Sequence, residues 1–190
     1  MTDLMRYAAA LEAAGGKRLP PVDKWNPPYR GEIDLLIRKD GVWMHEGTPI
    51  NRAGLVRLFS TILKREGDRY FLVTPVEKLG ITVEDAPFIA VLMRTDGASA
   101  GKRIIFTTNV GDDVTVDSDH AIEYRTFGAG KAPYVGVRNG LDARISRSVF
   151  HDLVADGETR DIDGEEWFGV ASSGLFFPFG RADEIFDARE

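Results

Sequence analysis

Apolar positions recur at two different spacings along the chain, and the changes of spacing divide it into short elements. Leu4, Tyr7, Ala8 and Leu11 return every three or four residues, which predicts a helix over 3–14. Thr2 or Asp3 would cap it and Gly15-Gly16 would stop it. Lys17–Gly31 breaks the pattern with four prolines and predicts an extended arm laid over the body, anchored by Trp25. "EIDLLIRKDGVWMH" then gives two apolar runs around Asp40-Gly41, the signal of a hairpin, because a tight turn needs positive φ. Asn51 reads as the cap of a helix over 52–65, with Leu55, Leu58, Phe59, Ile62 and Leu63 on one face and Gly67-Asp68 as its end. "RYFLVT" follows as a strand closed by Pro75.

The same order returns in the second half. "PYVGVRNGLDARI" predicts two strands about an Asn139-Gly140 turn, Ser146 caps a helix over 147–155 that ends at Gly157, and "EEWFGVAS" is again a strand. Ile50, Arg52 and Leu58 match Ile145, Arg147 and Leu153, and Phe71 and Val73 match Phe168 and Val170. Between the two copies, "FIAVLMRT", "KRIIFTTN", "DVTVD" and "AIEYRTF" predict an antiparallel meander. The pattern therefore predicts an α+β protein with two domains built on a duplicated hairpin–helix–strand unit. The second is an antiparallel sheet with one capping helix. Residues 1–31 form the terminal helix and arm, 32–86 the first repeat domain and 87–190 the second.

Composition narrows the function classes. A chain of 190 residues with 43% hydrophobic and 28% charged positions can bury a core and is not of the disordered type. No run approaches the roughly 18 apolar residues of a membrane span, and the amino terminus lacks the form of a signal peptide, so the expected compartment is the cytoplasm. With no cysteine there is no disulfide, thiolate catalysis or cysteine metal site. The net charge of −6 is uneven: residues 1–95 hold 14 Lys/Arg and 12 Asp/Glu, and residues 96–190 hold 10 and 18. That balance argues against duplex nucleic acid as a partner and leaves room for a small anion held by local arginines.

The run "WNPP…G-EID…I-RKDGVW…GTPINR", continued by "YFLVTPVEKLGITVEDAPF" and "PYVGVRNGLDARISRSVFHDLV", resembles the proteobacterial family known as domain of unknown function 1285, over roughly residues 22–180. "TPVEK" and "VEDAPF" are the most distinctive segments. The resemblance implies a duplicated core in two domains, the second superficially like a pleckstrin-homology fold. It further implies a ligand site at the domain interface, for a nucleotide-like molecule, and a signalling role. It carries over no catalytic residue.

Candidate chemistry is sparse. Arg52 and Arg147 each follow a predicted cap, where the positive end of the helix dipole disfavours a cation by roughly 0.3–1 kcal/mol. Two readings stand: each pairs with a carboxylate such as Asp34, Glu46 or Asp142, or each offers its fork to an anionic ligand. "TPVEK" turns sharply after a strand, so Thr74, Glu77 and Lys78 either line a cleft or pair across the turn. Glu84 and Asp85 are adjacent carboxylates, read as structural or solvated. Trp25, Trp43, Tyr134 and Trp167 are read as core or as a stacking face.

Several apparent motifs fail. "GASAGKR" and "GAGK" lack phosphate-loop spacing, "DSDHAIE" lacks a calcium-loop glycine, "GVASSG" is no nucleophile elbow, and the three histidines are scattered. No nucleophile–base pair, metal site or cofactor is legible, and the sequence gives no basis for an enzyme. The expectation is a regulatory or signalling module that binds a small anionic, nucleotide-like ligand at the interface of its two domains. Arg52, Thr74, Glu77, Lys78, Tyr134, Arg138 and Arg147 are its candidate contacts. The alternative is a protein–protein interaction module with no small-molecule ligand.

Overall fold

The computed structural model describes residues 19–98 and 101–187. The helix predicted over 3–14 lies outside them. Among the described residues no helix is long and apolar enough to cross a membrane. The chain divides into two compact units. Among the described residues, the first holds those up to Phe88 together with Arg138–Leu141, and the second holds Ile89–Val137 and those from Asp142 on.

The first unit opens with the arm, in which Val22–Lys24 makes one 3-10 turn. Strand β1 (Tyr29–Ile37) and strand β2 (Trp43–His45) form the expected hairpin, with Ile37 opposite Trp43. Its turn is fixed locally: Gly41 takes φ 83, and the amide of Val42 donates to Asp40 Oδ1 at 3.1 Å. After the short β3 (Thr48–Pro49) comes helix α1, Ala53–Thr61. It starts later and ends earlier than its apolar spacing predicts. Arg52, not Asn51, is the N-cap; it has extended φ/ψ, and no side chain caps the helix.

The residues read as the last helical turn are strand β4 (Leu63–Glu66), paired with β5 (Arg69–Val73) about Gly67 at φ 60. The unbroken polar run of Lys64, Arg65 and Glu66 is compatible with either period. Tertiary pairing decides, because β4 gains a ladder on β5 that a longer helix would forgo. Strand β6 (Lys78–Val83) pairs antiparallel with β5 and parallel with β1, giving the order β3-β2-β1-β6-β5-β4. Leu35, Ile37, Trp43, Phe59, Ile62, Leu72 and Val73 form the core, each at most 2% exposed.

In the second unit, β7 (Phe88–Asp96), β8 (Arg103–Thr108) and β9 (Asp113–Thr115) make the first part of the predicted meander. The fourth strand, β10 (Ile122–Phe127), departs from that expectation. It pairs with β11 (Gly130–Arg138) instead of β9, and β12 (Leu141–Ile145) lies next to β7. The order β10-β11-β12-β7-β8-β9 sets β9 and β10 on opposite edges. The turn between β11 and β12 places Asn139 at φ 48 and Gly140 at φ 72, the paired positive dihedrals of a type I′ hairpin.

Helix α2 runs over Arg147–Ala155 as predicted, capped by Ser146 Oγ accepting from the Val149 amide at 3.3 Å. A separate sheet of β13 (Glu158–Ile162), β14 (Glu165–Ser172) and β15 (Leu175–Arg181) follows, then the short helix α3 (Ala182–Asp187). Strand β13 is exposed along its length and carries one apolar residue, so periodicity alone does not reveal it.

The duplicated element order is present, enlarged by one strand per copy: hairpin, helix, then a hairpin whose second strand carries the aromatic residue. Phe71 and Val73 in β5, and Phe168 and Val170 in β14, are buried in equivalent places. The two copies differ in closure. In the first, β6 returns beside β1 and one sheet results; in the second, β13–β15 stand as their own sheet. The pleckstrin-homology likeness is loose.

Candidate functional site

"TPVEK" forms a closed turn. The Thr74 amide donates to the Glu77 carbonyl at 2.9 Å, and Thr74 Oγ1 accepts from the Glu77 amide at 3.1 Å and the Val76 amide at 3.3 Å. Pro75 sits where a fixed φ suits the first central position of a turn. Thr74 is 1% exposed and its hydroxyl holds the backbone, while Glu77 is half-buried.

The turn delivers Lys78 to the start of β6, across from Val73 and Tyr29. There Lys78 Nζ lies 2.8 Å from Glu66 Oε2 and 4.9 Å from the centre of the Phe71 ring. Lys64 Nζ, from β4, lies 3.3 Å from the other oxygen of Glu66 and 3.4 Å from the Trp25 carbonyl. The hydrogen bond from Lys78 holds the Glu66 carboxyl below the usual glutamate range, against a smaller opposing effect of burial. Beside this trio, Tyr29 OH donates to Glu32 at 2.6 Å, Arg69 pairs with the same carboxyl, and the Tyr29 ring meets Phe71 edge-on at 6.1 Å. The Glu32 carboxyl fills the space that a side chain at Gly80 would occupy. Trp25 packs on Val22, Phe71 and Val73, which binds the arm to this face.

The other candidate residues are spread over the two units. Arg138 donates to the Ser60 carbonyl at 2.9 Å and covers the Phe88 ring at 4.9 Å. It thus adds a donor to a carbonyl in the last turn of α1, which also accepts from the Ile62 amide, at the helix end where a cation is favoured. Tyr134 is 3% exposed beneath the Arg125 guanidinium. Asp142, one carboxylate considered for Arg147, is instead 2.7 Å from Arg125, whose bonds to Asp142 and Glu123 raise its pKa further. Arg52 and Arg147 are exposed, and their side chains have no hydrogen-bond or ion-pair partner among the described residues.

Structure thus joins Thr74, Glu77 and Lys78 at one place in the first unit and assigns Arg147 and Tyr134 to the second. It adds Lys64, Glu66, Tyr29, Glu32 and Arg69, which periodicity missed. A strand reading of 63–66 would have aligned Lys64 and Glu66 on one face. Among the described residues no group of three or more His, Asp or Glu is arranged to hold a metal ion. In the second unit, the Tyr124 hydroxyl is buried beside Phe150 and Phe179 without a partner among the described residues, and burial raises its pKa.

Sequence profiles of two domains match this chain: the N-terminal domain of the domain of unknown function DUF1285 over residues 20–86, and the C-terminal domain of the DUF1285 protein of unknown function over residues 87–179. Curated proteins give no match. Among solved structures, a DUF1285 family protein from Silicibacter pomeroyi DSS-3 is 46% identical with a TM-score of 0.85, over 96% of this chain and 97% of that one. A DUF1285 family protein from Shewanella baltica OS155 is 27% identical with a TM-score of 0.53, over 65% of this chain and 91% of that one.

Proposed function

Because the chain belongs to the DUF1285 family, whose function is unknown, we propose on physical grounds that it is a regulatory binding module for a small anionic, nucleotide-like ligand. The supporting observation is the condition of Arg52 and Arg147. Each is exposed beside the start of a helix that carries no acidic residue in its first turn, and neither guanidinium has a partner among the described residues. A guanidinium held at the positive end of a helix dipole raises the local potential, and an anion there gains from both. The arginine also recurs in both copies of the unit. A ligand of this kind regulates by binding one conformation more tightly than another, and the size of the effect equals that difference in affinity.

Thermal unfolding of the full chain with anionic nucleotides and dinucleotides tests the proposal. A ligand that binds only the native state stabilises it by about 2.7 kcal/mol at a hundredfold excess over Kd. The expected result is a dose-dependent rise in Tm that Arg52→Ala or Arg147→Ala abolishes while the fold stays intact. A Tm that no ligand moves, or that both variants leave responsive, overturns the reading and favours the protein-interaction alternative.

A further inference from the structure

We propose that Lys64 and Lys78, on either side of Glu66, form a second anion site in the first unit, which takes a phosphate-class oxyanion. Their side chains are only 18% and 17% exposed, against 37% for Glu66. Two ammonium groups thus share one carboxylate in a half-buried place. The neighbouring carboxyl that could balance the second charge, Glu32, is already bonded to Arg69 and Tyr29. A surplus cation withdrawn from water is costly unless an anion accompanies it.

Donors remain for such an anion. An ammonium offers three N–H groups. Lys78 directs one to Glu66 and faces Phe71 on another side; Lys64 reaches Glu66 and, at the long distance of 3.4 Å, the Trp25 carbonyl. A carboxylate already bridges the two lysines, so an added ligand needs several acceptor oxygens to take one proton from each. Phosphate or a phosphomonoester carries more negative charge and more acceptor oxygens than a second carboxylate, and so gains more from the two ammonium groups. The site uses neither Arg52 nor Arg147. It also touches the arm, because Lys64 bonds the carbonyl of the residue that anchors it.

Titration of the full chain with inorganic phosphate at constant ionic strength, followed by calorimetry, tests the site. A parallel titration with a nucleoside monophosphate separates free phosphate from a phosphate ester as the better ligand. Lys64→Met and Lys78→Met are each expected to weaken binding by about tenfold or more, the loss of one charge-assisted hydrogen bond. Glu66→Gln removes the competing carboxylate and is expected to tighten phosphate binding, which no purely structural role for Glu66 would do. Arg52→Ala and Arg147→Ala are expected to leave phosphate binding unchanged, so failure here is distinct from failure of the proposal above. Absence of phosphate binding by the wild-type chain, unaltered binding in the lysine variants, or weakened or unchanged binding in Glu66→Gln overturns the site.

Discussion

Glu66 shows how much one residue's role depends on its neighbours. Its carboxyl is held below the ordinary glutamate value of 4.5, chiefly by the hydrogen bond from Lys78. A carboxyl whose pKa falls on folding adds stability that is full above its unfolded pKa and is lost as pH drops through the folded one. Urea denaturation from neutral to acid pH is therefore expected to show a steeper loss of stability below about pH 4.5 in the wild type than in Glu66→Gln. Identical acid limbs for the two proteins would contradict this. Thr74 makes the same point from the other direction. As a sequence feature it could face a ligand; in the fold its buried hydroxyl receives two amides of its own turn. A side chain's availability is set by which donors lie near it, and the spacing of "TPVEK" does not state that.

At the scale of elements, the helix starts separate what residue type predicts from what geometry selects. Ser146 and Asn51 are both good caps by composition, yet only Ser146 accepts an amide of its helix. Ser146→Ala is expected to cost about 1 kcal/mol, whereas Asn51→Ala should leave stability unchanged within a few tenths. Chemical denaturation of the two variants decides this, and equal losses would show that Asn51 caps α1 after all. Turn chemistry was the most legible feature. Asp40-Gly41 and Asn139-Gly140 each mark a hairpin, because positive φ restricts the residue types allowed. Strands β4 and β13 were not legible: one carries a pattern that suits both periods, and the other is polar throughout except for Ile162.

At the scale of the molecule, the duplicated order of elements does not produce duplicated sheets. The first copy closes through the parallel pairing of β6 with β1; the second leaves β13–β15 as a separate sheet, which needs another tie. Ser172 supplies one within the second unit. Its buried hydroxyl donates to the Val116 carbonyl at 2.7 Å and accepts the Ile104 amide at 2.9 Å, joining the end of β14 to the sheet that contains β8. Ser172→Ala leaves the buried Ile104 amide without its acceptor, while the Val116 carbonyl keeps the Ser173 hydroxyl at 2.9 Å, and is expected to destabilise the protein by about 1–3 kcal/mol, more than a surface serine would. Equilibrium unfolding of this variant measures it, and a loss within a few tenths of a kcal/mol would show that the two sheets do not depend on this residue.

The sequence by itself determined the α+β class, the tight turns, helix α2 with its cap, and the twofold recurrence of hairpin, helix and aromatic strand. Each of these follows from local sterics or from the period of apolar residues, which a linear chain carries openly. Tertiary structure decided where α1 ends, that β10 lies beside β11, and that Lys64 and Glu66 meet Lys78. These depend on pairing between segments distant in the chain, where the free energy of a shared ladder or ion pair outweighs a weak local preference. It also decided which cations are occupied, because that turns on whether a carboxylate or carbonyl arrives within reach.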